Sequence, residues 1–345
     1  MSWLDLPPAD AERAVGSWVA THREPSYRIR QILPYLWERP VPSWDDATDL
    51  PAALRTALDA TQPLTRPDLV TRQLSRDGTM KFLWRLPDGA AIESVLIPEG
   101  RRRTLCISSQ SGCAFGCVFC ATGRMGFGRH LTPGEIAGQV REMLLDATCG
   151  KPTNVVFMGM GEPLHNWVGV EAALSILNDP RGLGIGARHI TVSTVGVVPG
   201  LEALAKRPEQ FGVALSLHSP FSDRRGEMMP IERKWPLPRV LDALRAFARR
   251  VTFEYVMIRG RNDRDEDAAE LARHARELRA LVNLLTLHPG GDPDLQPTLP
   301  ERMERFADRL RTLGVNATVR RSRGLDINAA CGQLRVAVEA GGIRA

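Results

Sequence analysis

The sequence predicts an α/β protein in which a parallel sheet with crossover helices curves or closes into a full or partial barrel, preceded by a small helical domain and a β-hairpin. Three observations carry this reading. From Thr104 onward, short β-branched runs alternate with longer amphipathic ones. Ahead of them, the first ~70 residues show helix-like apolar spacing broken by prolines. Between the two, Pro87-Asp88-Gly89 separates two apolar runs as a turn would.

Length and composition agree. The 345 residues suggest about two domains, and 43% hydrophobic with 25% charged residues excludes collagen-like, coiled-coil and wholly disordered chains. No stretch approaches the ~20 apolar residues of a membrane span, and the start, MSWLDLPPAD, lacks a basic region followed by an apolar one. A folded cytoplasmic protein with no membrane association is the expectation, acting as a monomer.

In chain order, Tyr27 to Leu33 and Leu50 to Leu54 typify the helical segment, taken as 1–75. Met80 to Leu86 and Ala90 to Ile97 form the expected hairpin, within an extension spanning 76–100. In 101–345 the expected strands are Thr104 to Ser109, Asn154 to Met158, His189 to Ser193, Gly212 to Leu217, Thr252 to Met257 and Val282 to Leu287. Helices are expected between them, including Pro133 to Asp146, Leu237 to Arg249 and Glu266 to Arg279. In such a fold, chemistry belongs at the carboxyl ends of the strands.

Immediately after the first of these strands stand Cys113, Cys117 and Cys120, a C-x3-C-x2-C loop. With six cysteines in the chain, this spacing arises by chance only about 0.002 times. Three thiolates in one loop suit three irons of a [4Fe–4S] cluster and leave the fourth iron open. The alternative is a zinc site completed by His130 or a remote cysteine. Charge is uneven: nine arginines face four acidic residues from Arg302 to Ala345, and Arg101 to Arg103 and Arg320 to Arg323 are tight basic clusters. RNA is a candidate partner for that basic end, with a solvated basic face as the plain alternative.

The loop, with Phe119 just before its third cysteine, resembles the signature of the radical S-adenosylmethionine enzymes. That resemblance implies a partial (β/α)6 barrel, a [4Fe–4S] cluster on Cys113, Cys117 and Cys120, and S-adenosylmethionine bound at the unique iron as the source of a 5′-deoxyadenosyl radical. Gly161-Glu162-Pro163 resembles the motif that receives the cofactor's amino group, and Ser193 after the third strand and Ser216-Leu217-His218 after the fourth resemble further cofactor contacts.

Two more cysteines sharpen the match. Cys106 precedes the loop in Thr104 to Cys113, and Cys331 lies in Arg323 to Leu334. Read alone, each is a small buried apolar residue. Their surroundings closely resemble the dual-specificity RNA methyltransferases that methylate C2 of an adenosine in 23S rRNA and in tRNA, with the likeness running from about Glu93 to Leu334. The resemblance implies that Cys331 carries an S-methyl intermediate, that Cys106 resolves the adduct as a disulfide, and that Glu93 accepts the ring proton. It also implies an electron donor such as flavodoxin or ferredoxin.

Two positions depart from the pattern. His288 stands where the family usually has an asparagine that contacts the cofactor, and Glu232 where it tends to have an asparagine. The acid at Glu232 is expected near a nucleic-acid surface, where it would repel phosphate. Cys149 is expected to be structural. Two other functions stay open: methylation of C8 of the same adenosine, and a non-catalytic metal-bound RNA-binding protein.

Overall fold

The computed structural model of the chain describes residues 2–247, 251–334, 337–339 and 342–344. The amino-terminal helices are α1 (Pro8–Thr21), α2 (Arg28–Ile32), α3 (Pro34–Trp37) and α4 (Ala52–Thr61). Prolines at the first helical position of α1 and α3 start these helices at no cost in backbone hydrogen bonds. Trp3, Trp18, Trp37 and Trp44 fill their core.

The chain then enters one ten-stranded sheet. Strands β1 (Asp68–Leu74), β2 (Met80–Arg85), β3 (Ala91–Glu99) and β4 (Arg102–Cys106) run antiparallel. The small ladder of β5 (Gln110–Gly112) and β6 (Phe127–His130), with α5 (Ala121–Arg124) between them, precedes α6 (Pro133–Leu145). Thereafter strands and helices alternate: β7 (Asn154–Phe157), α7 (Trp167–Asn178), β8 (Ile190–Thr194), α8 (Val198–Ala205), β9 (Gly212–Ser216), α9 (Ser222–Met228), α10 (Leu237–Leu244), β10 (Thr252–Met257), α11 (Asp265–Glu277), β11 (Leu281–Thr286), α12 (Pro300–Thr312) and β12 (Ala317–Val319). From β4 through β7 to β12 every neighbouring pair is parallel. The end strands β1 and β12 do not pair with each other among the described residues, so the sheet is open. A short hairpin of β13 (Ala337–Glu339) and β14 (Gly342–Arg344) follows.

All six expected strands and the hairpin are present, with ends shifted by a few residues. Two strands of the ten-stranded sheet escaped the pattern, as did the short ladders β5–β6 and β13–β14. β1 lies inside the segment expected to be helical, because an edge strand leaves much of both faces in water and Asp68–Leu74 therefore lacks a clean apolar alternation. β12 is only three residues long. The helix expected to end at Arg249 is seen to Leu244, and 248–250 lie outside the described residues.

Helix α6 joins the two regions. Thr132 caps it in a reciprocal box with Glu135, and Pro133 opens it. From its buried face Arg141 donates through Nε to the Leu36 carbonyl at 3.0 Å and through a terminal nitrogen to that of Val41 at 2.7 Å, while Glu142 pairs with Arg66 at 2.6 Å. The helical segment is thereby fastened to the back of the sheet. No helix among the described residues is long and apolar enough to cross a membrane.

Candidate active site

The three-cysteine loop sits where β4 ends, held at its base by the β5–β6 ladder. Gly112 makes that closure possible: its φ is +74°, and a Cβ there would stand 2.0 Å from the Gly126 carbonyl oxygen, so only glycine fits. The loop is pinned from outside by a bond from the Val118 amide to the Met228 carbonyl at 3.0 Å. Cys113, Cys117 and Cys120 all face one cavity of about 150 Å³ at the carboxyl ends of the parallel strands. Burial pushes the Cys113 thiol up to about 12 and the Cys117 thiol well above its ordinary range, and the neighbouring thiols and Glu162 add to both shifts. Among the described residues no three Cys, His, Asp or Glu side chains converge on the position of a single metal ion. A four-iron cluster takes its thiolates on separate irons, and its positive charge would offset the negative charge this donor set would otherwise concentrate. The residues fit such a group.

Glu162 lies across the same cavity. The turn before it needs glycine, since Gly161 has φ +95° and a Cβ would meet the Gln110 side chain at 2.5 Å. Gln110 in turn accepts the Glu162 amide at 2.8 Å. The carboxylate accepts from the Leu164 amide at 3.0 Å and the Val195 amide at 2.9 Å. Burial nevertheless raises it to about 7 against these bonds. A buried carboxylate so oriented is completed by an ammonium group, as the amino end of S-adenosylmethionine would provide.

Ser193, Ser216, His218 and His288 also line this cavity, as do the expected glycine and glutamate. His218 holds the left-handed conformation, φ 55°, and its Nδ1 accepts the Val256 amide at 3.0 Å. The ring is therefore the Nε2–H tautomer. Burial and the Arg225 guanidinium lower its pKa to about 3. His288 bonds Ser322 through Nε2 at 2.6 Å. Leu217 is placed elsewhere: its side chain is wholly buried, its amide donates to the Glu254 carbonyl at 3.0 Å, and its carbonyl accepts from Arg225 at 3.2 Å.

His218 makes the fold acid-sensitive. The neutral ring is favoured in the folded state, so its contribution is intact above the ordinary histidine range and is lost as pH falls from about 6.5 toward 3. Between pH 7.5 and 5.5 this costs about 1 kcal/mol. Denaturant titrations of wild type and His218→Asn at both values are expected to show a pH-dependent loss larger in wild type by about that amount, asparagine being tolerant of the same backbone conformation.

The expectation that Glu232 faces nucleic acid is corrected. Glu232 is buried and ion-paired with Arg225, and its other oxygen accepts the Leu237 amide at 2.7 Å. Arg225, itself fully buried, also donates to the Val195 carbonyl at 2.6 Å. The acid therefore balances an internal arginine that braces the loops after β8 and β9, and it presents no charge to phosphate.

Cys331 is an exposed residue on the wall of the cavity, and its loop packs against the end of the three-cysteine loop. Crowding by protein and the nearby Glu254 carboxylate raise its thiol to about 11. Cys106, buried at the end of β4, lies close enough that Cys331 opposes its ionisation, and burial drives its thiol higher still. The two thiols expected to act together are thus neighbours. Cys149 is buried outside this cavity, beside Asp146. Glu93 is in the middle of β3, fully buried, with Lys81 Nζ 3.2 Å from its Oε1. Its carbonyl accepts the Ser108 hydroxyl at 2.6 Å. Sequence reasoning missed Glu254, which lines the cavity near Cys331 and accepts from Asn283 at 2.9 Å. An acid inside an otherwise apolar strand, Thr252–Met257, was the available signal.

The loop carrying Cys331 is fastened at two places. Behind it, the Ala121 amide donates to the Gly332 carbonyl at 2.7 Å and the Thr122 hydroxyl to that of Leu334 at 2.6 Å, tying it to the cluster loop. Ahead of it, carboxylates cross between the β1–β2 turn and the chain before Cys331. Asp326 accepts from the Ser75 hydroxyl at 2.5 Å and the Arg76 amide at 3.1 Å, and Asp77 accepts the Gly324 amide at 3.0 Å.

Comparison with known proteins agrees with this geometry. The Radical SAM superfamily matches residues 107–272. A relative from Gemmatimonas aurantiaca, named as a probable dual-specificity RNA methyltransferase RlmN, is 57% identical over 332 residues, covering 96% of this chain and 92% of its own. The dual-specificity RNA methyltransferase RlmN of Halorhodospira halophila is 44% identical over 316 residues, covering 90% of this chain and 88% of its own. A crystal structure of a radical SAM methyltransferase from Sphaerobacter thermophilus superposes with a TM-score of 0.90 at 43% identity, covering 97% of this chain and 99% of that one. Relatives this similar over nearly the whole chain show that the chain belongs to the dual-specificity RNA methyltransferase family of radical SAM enzymes.

Proposed function

We propose that this enzyme transfers a methyl group to C2 of an adenosine in 23S rRNA, and of an adenosine in tRNA, by way of an S-methyl group on Cys331. The observation that carries the proposal is the position of Cys331, in the wall of the cavity that holds Cys113, Cys117, Cys120 and Glu162 and next to the Cys106 thiol. A thiol there has no structural task that a small apolar residue could not perform, and it stands between the cofactor residues and the open side of the cavity.

Bound to Cys113, Cys117 and Cys120, the [4Fe–4S] cluster and S-adenosylmethionine supply the methyl group and the hydrogen-abstracting radical chemistry. Glu162 receives the cofactor's amino group, with Gly161, Ser193, Ser216, His218 and His288 lining its place and Leu217 shaping it from behind. Cys331 carries the methyl carbon to the electron-poor ring carbon, which ordinary polar transfer does not reach. Glu93 takes up the ring proton. Cys106 then bonds to the Cys331 sulfur, releasing the methylated base and leaving a disulfide that a reductant must reopen. The basic clusters around Arg101 and Arg320 supply attraction for phosphate. A one-electron donor of the flavodoxin or ferredoxin class serves the cluster, and the enzyme acts as a monomer in the cytoplasm.

The test is mass spectrometry of nucleosides from rRNA and tRNA incubated anaerobically with reconstituted enzyme, S-adenosylmethionine and reductant. The expected product is 2-methyladenosine in both RNAs. Appearance of 8-methyladenosine alone would overturn the carbon assignment, and no methyladenosine despite cofactor cleavage would overturn the substrate.

A further inference from the structure

Resting on that reading, we propose that Lys81 is a positioning residue for the acceptor step: its ammonium group pairs with the Glu93 carboxylate and aims it for removal of the ring proton. The strand register puts the parts together. Val95 of β3 stands opposite Lys81 on β2 and opposite Cys106 on β4, so the three side chains form a row on one face of the sheet. Glu93, two residues along β3, shares that face. Lys81 Nζ reaches Glu93 Oε1 at 3.2 Å, with the lysine side chain 6% exposed and the glutamate 0%.

A charged pair this deep is costly, and an apolar residue of similar volume at position 81 would ordinarily serve the fold as well or better. The cavity beside it gives the charge a purpose. Lys81 lines a space of about 870 Å³ together with Arg124, His288, Asn328 and Gln333. His288 and Leu287 also belong to the wall of the cofactor cavity, so the two spaces meet at the end of β11. The larger one has room for a flipped-out nucleotide, and Lys81 lines it while contacting Glu93.

After the Cys331 methylene carbon has bonded to C2, the adduct radical loses its C2 hydrogen as a proton to a Glu93 oxygen. The one electron that must leave with that proton would be accepted by the oxidised form of a cluster held by Cys113, Cys117 and Cys120, and the ring would regain its aromatic system with the carbon–sulfur bond intact. Attack of the Cys106 thiol on the Cys331 sulfur then breaks that bond, the thiol proton completing the methyl group. Without Lys81, the carboxylate loses the ammonium contact that fixes its direction, and proton removal slows at the adduct.

The experiment compares wild type, Lys81→Met, Lys81→Arg and Glu93→Gln in the reconstituted full-length enzyme, following three readouts: S-methyl-Cys331 by peptide mass spectrometry, methyladenosine, and protein–RNA crosslink. Lys81→Met is expected to keep S-methyl-Cys331 at the wild-type level, lose about 100-fold in product, and accumulate crosslink as Glu93→Gln does. Lys81→Arg is expected to recover at least about a tenth of product release. Wild-type product from Lys81→Met, loss of crosslink together with product, or no recovery in Lys81→Arg overturns the proposal. Should Lys81→Met not fold, Lys81→Arg decides: product at or above that tenth with a raised crosslink supports it, and wild-type behaviour in every readout overturns it. Failure of the wild-type enzyme to methylate RNA would instead count against the proposed function.

Discussion

Cys331→Ala is expected to bind iron as wild type does and to lose RNA methylation by at least about 1,000-fold. The side chain lies on the exposed wall of the cavity, so removing its sulfur opens no void in the core and leaves the cluster residues untouched. Iron content, the visible absorption of the cluster and melting temperature should therefore match wild type while methyladenosine vanishes. Cys106→Ala separates the two thiols: methylated Cys331 should still form and bond to the ring, and the product should stay covalently attached to the protein. Free product from either variant at the wild-type rate would remove that thiol from the chemistry.

The second large effect concerns the cluster itself. Cys117→Ala is expected to reduce bound iron from about four per chain to near zero and to abolish the visible absorption. Cys117 is the most deeply buried of the three cluster thiols and faces both of its partners, so two remaining thiols leave a cubane without adequate support. Cys149→Ala serves as the contrast, since that thiol sits outside the cavity beside Asp146. Full iron in Cys117→Ala, measured by elemental analysis of anaerobically reconstituted protein, would refute the ligand assignment.

What could be read from residues alone divides along physical lines. The parallel strands were legible because both of their faces are covered, which writes them as unbroken apolar runs such as Val155–Phe157 and Val213–Leu215. β1 was not, because its pattern of half-exposed positions resembles that of a loop. At the site, spacing singled out Cys113, Cys117 and Cys120, since three thiols crowded into one short loop suit metal binding, and the structure brings the three to one cavity. Glu93 and Cys106 are different: the register of β3 against β4 brings them onto one face, and no local pattern announces a cross-strand relation. Glu232 shows the opposite failure. Two basic residues, Arg233 and Lys234, follow it in sequence, but Arg225, seven positions earlier, turns it inward, a pairing that only the packing of α9 reveals.

The carboxylate bonds from Asp326 and Asp77 set a limit on where the reactive sulfur can travel. Four residues lie between Asp326 and Cys331, and even fully extended the five steps from one to the other span no more than about 17 Å. With the far side held at Gly332 and Leu334, the thiol is leashed at both ends. It cannot swing out to meet a base in a folded RNA. The nucleotide must leave its stack and come inside that radius, so the penalty for extracting it belongs to the RNA, and the sites that open most cheaply are the ones this enzyme will modify fastest.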